Sequence, residues 1–111
     1  MKVLVTASGP SMDAAVDPRF GRCPYFVLVE TGDMSSQALE NPGARFDSGA
    51  GVQAARFVAE GGFRTVLTGA CGPKAAETLA AAGVTVFTGC SGTLSDAVED
   101  LQAGRLDPAT V

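Results

Sequence analysis

The chain has 111 residues, 8 Lys+Arg against 12 Asp+Glu for a net charge of -4, three cysteines, and neither histidine nor tryptophan. Without histidine there is no Ser-His-Asp triad, no Cys-His pair and no imidazole ligand or base, so strong metal ligands are left to thiolates and carboxylates. The acidic balance speaks against nucleic acid as a partner, no apolar run nears the roughly 20 residues of a membrane span, and Val3 to Val5 is too short for a signal-peptide core. A cytoplasmic protein is the expectation, with its thiols reduced.

The length predicts one domain, over 1–106, followed by a loose tail over 107–111. Val3 to Thr6 reads as a first strand and leads into a long polar loop, Ser8 to Cys23. Tyr25 to Glu30 is a second strand, and the turn Thr31-Gly32-Asp33 returns a weak third strand, Gln37 to Glu40, antiparallel to it. After the break at Asn41-Pro42-Gly43, the spacing of Val52, Ala55, Val58 and Ala59 predicts a helix over Ser48 to Glu60. Thr65 to Thr68 is a fourth strand. A second helix, Pro73 to Ala82, has proline at its first position and Gly83 just past its end. Val84 to Thr88 is the fifth strand, and a third helix begins at Thr93 with a capping-box pattern to Asp96 and stops at Gly104.

The order is βββαβαβα. Right-handed crossovers set strands one, four and five parallel and adjacent, with the hairpin of strands two and three beyond strand one. This predicts an α/β, three-layer, ribonuclease H-like fold with a mixed five-stranded sheet of order 3-2-1-4-5 and strand two antiparallel.

Two loops repeat one pattern, TVLTGACGP at 65–73 and TVFTGCSGT at 85–93. Each runs strand, T-G-x-x-G, helix start, a geometry that offers free amides and the positive end of a helix dipole to an anion. Cys71 and Cys90 lie in these loops, and Cys23 precedes a strand antiparallel to the first, so all three are expected at the sheet edge where open α/β sheets bind ligands. Arg19 and Arg22, in the loop Asp17 to Phe26, and Lys74 add positive charge at that rim. The alternatives are that the arginines pair with Asp13 and Asp17 and that the cysteines are packing residues, with Phe26 pointing into the core. Gly49-Ala50-Gly51-Val52-Gln53-Ala54 fits G-x-G-x-x-A but follows a loop rather than a first strand, which disfavours a dinucleotide site. The absence of C-x-x-C disfavours a dithiol oxidoreductase, and no clustered carboxylates support a two-metal nuclease.

D-P-R-F-G-R-C-P-Y-F at 17–26, N-P-G with a following G-A-G, T-G-x-x-G-P-K-A at 68–75, L-x-x-A-G-V-x-V at 79–86 and G-x-x-G-T at 89–93 together resemble the dinitrogenase iron-molybdenum cofactor biosynthesis family. Within it the chain is similar to the orange proteins, small proteins of anaerobic bacteria. The resemblance implies non-catalytic binding, storage or transfer of a metal-sulfur cluster: a molybdenum-copper sulfide held without covalent ligands or, in other members, an iron-molybdenum cofactor precursor. It implies a cluster-delivery ATPase or a recipient protein as partner. The missing histidine departs from carriers with a histidine ligand and favours molybdenum-copper sulfide. The site implied joins Arg19, Arg22 and Lys74 with Gly69, Gly72, Gly89, Gly92 and Thr93, and Cys23, Cys71 and Cys90 as auxiliary ligands or a non-ligating wall. Two other readings are a cofactor-free interaction module docking through strand three, and a thiol enzyme in which Arg22 activates Cys23.

Overall fold

The computed structural model describes residues 1–109. Its five strands are β1 (Lys2–Ala7), β2 (Tyr25–Glu30), β3 (Ser35–Glu40), β4 (Thr65–Leu67) and β5 (Thr85–Phe87), and its α-helices are α1 (Ala50–Glu60), α2 (Pro73–Ala81) and α3 (Leu94–Gln102), with a short 3-10 turn at Pro42–Arg45. The sheet order is β3-β2-β1-β4-β5, antiparallel across β3-β2-β1 and parallel across β1-β4-β5. The predicted three-layer topology is thus the one found.

Lys2 apart, every residue of β1 is buried, because this central strand is covered on both faces. Alternation sends its side chains into two cores. Leu4 joins Phe26 and Val66 beneath α1 and α2, with Ala54, Ala55, Val58, Ala75 and Leu79. Val3 and Val5 join Val27, Val29 and Leu67 beneath α3, with Leu94, Ala97 and Val98. Helices α1 and α2 therefore share one face and α3 takes the other. On the α1 face, Phe20, Phe26, Phe57 and Phe63 run ring against ring at centroid spacings of 5.5, 5.8 and 6.0 Å.

Boundaries differ from the sequence reading where pairing, not propensity, decides. The third strand begins at Ser35 because all six of its residues pair with β2, Ser35 opposite Glu30 and Glu40 opposite Tyr25. The first helix begins at Ala50, after Gly49 at φ 71°. Thr93 and Asp96 form the expected reciprocal capping box. In the segment expected as a tail, Pro108 pairs with Phe87 and the Ala109 N-H donates to the Val86 carbonyl, so the β5 edge is covered; Thr110 and Val111 lie outside the described residues.

Candidate functional site

The loop after β1 is stitched over the carboxyl ends of β1 and β4. The Thr6 hydroxyl donates to the Asp17 carbonyl at 2.8 Å and lies 2.9 Å from the Thr68 hydroxyl, all of it buried. The Ala70 N-H donates to the Pro18 carbonyl at 2.8 Å, and the Phe20 N-H returns to the Ala70 carbonyl at 3.1 Å. Beside this seam lies a cleft of about 560 Å³, lined by residues 18–22, 49–52 and 70 to 75 without Cys71.

Two helices begin at this cleft. Gly49 caps α1 and Gly72 caps α2, neither cap has a side-chain hydrogen bond, and neither first turn holds an acidic residue. The first amides of a helix have no acceptor within it, so both starts present free N-H groups and the positive ends of their dipoles. A Cβ built at either glycine meets nothing within 4 Å, so the space before both caps is open. Pro18, Phe20, Ala50, Val52, Pro73 and Ala75 give the rest of the wall an apolar character.

Arg19, Arg22 and Lys74 all line the cleft, but their commitments differ. Arg19 lies 3.5 Å from the buried Asp17 carboxylate, one of the pairings that the sequence allowed. Arg22 donates to the carbonyls of Phe46 and Asp47 at 2.6 and 2.9 Å. Lys74 is exposed and has no ion pair among the described residues.

The predicted glycines separate by surroundings. Only Gly72 opens on the cleft. A Cβ at Gly69 would come 2.5 Å from Pro18 Cα, so this glycine serves the close approach of two loops. In the second repeat loop the Gly89 N-H donates to the Gly69 carbonyl at 2.8 Å, the Gly92 carbonyl accepts from Val16 at 2.9 Å, and Thr93 is occupied by its cap to Asp96. That loop opens α3 on the opposite face and does not line the cleft.

The thiols part in the same way. Cys23 is fully buried in the α1 and α2 core, Cys90 is buried in the α3 core, and Cys71 turns toward a separate cavity between α2, β5 and Pro108. Burial pushes the Cys23 thiol up to about 12, with the Asp17 carboxylate adding to the effect. This corrects the thiol-enzyme reading: Arg22 is held by carbonyls, and Cys23 is a neutral core group that donates to the Phe20 carbonyl at 3.3 Å. Burial also raises Cys71 and Cys90. Among the described residues no three Cys, Asp or Glu side chains converge as a metal site.

Residues 49–52, which the sequence offers as a G-x-G-x-x-A match and as part of the family pattern but not as site residues, also line the cleft. The available signal was the helix start G-A-G, with no Ser, Thr, Asp or Asn at the cap.

The chain resembles several known proteins over nearly its whole length. The structure of the apo form of the orange protein from Desulfovibrio gigas matches with a TM-score of 0.92 at 38% identity, covering 98% of this chain and 92% of that one. A NifB-like protein from Thermotoga matches with a TM-score of 0.83 at 28% identity, covering 99% and 94%. An uncharacterized protein of Methanocaldococcus jannaschii is 25% identical over 95 residues, 83% of this chain and 80% of that protein. The model of the dinitrogenase iron-molybdenum cofactor family matches residues 1–104, and the chain belongs to that family.

Proposed function

We propose that this protein is a non-catalytic carrier or store of an anionic metal-sulfide cluster of the molybdenum-copper sulfide type. Family membership and the likeness to the orange protein support a cofactor-related binding or carrier role. The observation that carries the finer reading is the convergence of two glycine-capped helix starts, neither closed by a side chain, and three basic side chains on one largely apolar cleft.

Such a site suits a sulfide surface better than an oxyanion. A strongly hydrated oxyanion gives up its water shell and regains few hydrogen bonds against Phe20, Val52 and Pro73, whereas a polarizable sulfide surface gains dispersion there and charge balance at the amides. No thiol lines the cleft, so the cluster is held by charge, backbone and shape, with Arg19, Lys74, Gly72 and residues 49–52 around it. An iron-molybdenum-sulfur precursor is the second cargo of this class, and a cluster-delivery ATPase or recipient protein is the partner that such a role requires.

A cofactor-free interaction module is supported by one observation: β3 is a regular six-residue edge strand, exposed except at the half-buried Leu39 and, among the described residues, paired only with β2, while the β5 edge is covered. Anaerobic incubation with tetrathiomolybdate and copper, followed by desalting, elemental analysis and a visible spectrum, separates the two. Retained molybdenum and copper with a charge-transfer band is the expected result. A colourless, metal-free protein after desalting overturns the carrier.

A further inference from the structure

Arg22 lines the cleft, yet its guanidinium spans two consecutive backbone carbonyls, Nη1 to Phe46 and Nη2 to Asp47, at 2.6 and 2.9 Å. Those carbonyls belong to the strand of chain that feeds, through Ser48, into Gly49 and the first turn of α1. Two further contacts fix the same junction. The Asn41 amide donates to the Gly21 and Cys23 carbonyls at 3.2 and 2.9 Å, while its Oδ1 accepts the Gly43 N-H at 2.9 Å. Gly21 sits so close to α1 that an added Cβ would lie 2.7 Å from the Gly51 nitrogen and Cα. The segment 19–23 and the start of α1 are thereby locked into one body, although some 25 residues separate them in the chain.

We infer that Arg22 is a positioning residue: it serves the cleft by holding Phe46 and Asp47, and so the free amides of 49–52, in place. This rests on the cluster-carrier reading. The fork of a guanidinium matches two neighbouring carbonyls, and an ammonium, a point donor on a flexible stem, does not. Charge and position are therefore separable at this residue. If Arg22 acted through charge alone, lysine would replace it. If it acts through position, lysine fails nearly as badly as alanine.

The test titrates tetrathiomolybdate into wild type, Arg22→Lys, Arg22→Ala and Arg56→Lys, following the visible spectrum anaerobically, and measures amide exchange by NMR at Gln53, whose N-H donates to the Gly49 carbonyl at 3.0 Å in the first turn of α1, and at the free amides of 49–52. Position predicts that both Arg22 variants bind about 10-fold more weakly with faster exchange at Gln53, while Arg56→Lys, on the exposed side of α1 away from the cleft, binds within about 2-fold of wild type. Arg22→Lys binding like wild type while Arg22→Ala loses affinity overturns the inference and assigns Arg22 a direct charge. Weak binding by both with unchanged exchange at Gln53 overturns it also. Failure of wild type to bind the probe, or to protect the amides of 49–52 when loaded, sinks the carrier reading instead. The melting temperatures of all four proteins, taken without probe, guard against counting unfolding as lost affinity.

Discussion

Gly49 and Gly72 are the caps of two neighbouring helices that open on one cleft, and neither helix closes its own free amides. The third helix, which starts on the other face of the sheet, is closed instead: Thr93 and Asp96 cap it reciprocally. Gly72 has an extended backbone, φ -65° and ψ 160°, which an aspartate cap adopts freely. Gly72→Asp is expected to raise stability by about 0.5 to 1 kcal/mol through capping and the helix dipole. The same carboxylate is expected to weaken tetrathiomolybdate binding by at least ~10-fold. Urea unfolding and a spectral titration of one preparation check both signs, and unchanged binding contradicts the site.

At Gly49 the logic differs. Its φ of 71° is left-handed, so Gly49→Ala is expected to cost about 1 kcal/mol even though its Cβ meets open space. Stability and binding then fall together, unlike at Gly72.

Lys74 is exposed and unpaired among the described residues, so its removal leaves the fold alone. Lys74→Gln is expected to change stability by less than about 0.5 kcal/mol. It is also expected to reduce both the affinity for tetrathiomolybdate and the dependence of that affinity on salt, because one screened charge is gone. An affinity equal to wild type at low ionic strength removes Lys74 from the site.

Thr93→Ala tests whether the second repeat loop is structural. Loss of the capping box is expected to cost about 1 kcal/mol, read from the urea midpoint, with the spectrum of the loaded protein unchanged. A shifted spectrum would return residues 89–93 to the binding site.

Cys23 gives a pH signature. An unfolded thiol ionises near 9, whereas burial holds the native one protonated to about 12. Below pH 9 both states are neutral and the contribution is complete. Above it the unfolded state binds fewer protons, so stability falls as pH rises toward 12, with a limiting slope of about 1.4 kcal/mol per pH unit. Cys71 and Cys90, also raised by burial, act in the same direction. Cys23→Ala is expected to flatten the loss between pH 9 and 11; equal slopes in the two proteins would show that Cys23 ionises as freely folded as unfolded.

The sequence by itself determined the element order, the sheet topology, the inward Phe26 and the cap at Thr93. These depend on apolar periodicity, on partners a few residues away and on the handedness of short crossovers. It also brought Arg19, Arg22, Gly72 and Lys74 near one edge. Only the tertiary structure decided which of those residues share a cleft. Helix α3 crosses to the far face, so the second T-G-x-x-G loop spends its amides on Gly69 and Asp96 despite its likeness to the first. The thiols of Cys23, Cys71 and Cys90 diverge into two cores and a separate cavity, because chain position sets the edge but not the side-chain direction. The start of α1 reaches the cleft through Gly21 against Gly51 and through Arg22 on Phe46 and Asp47. Contacts between segments so far apart in the chain leave no periodic trace along it; they exist only once the layers have packed.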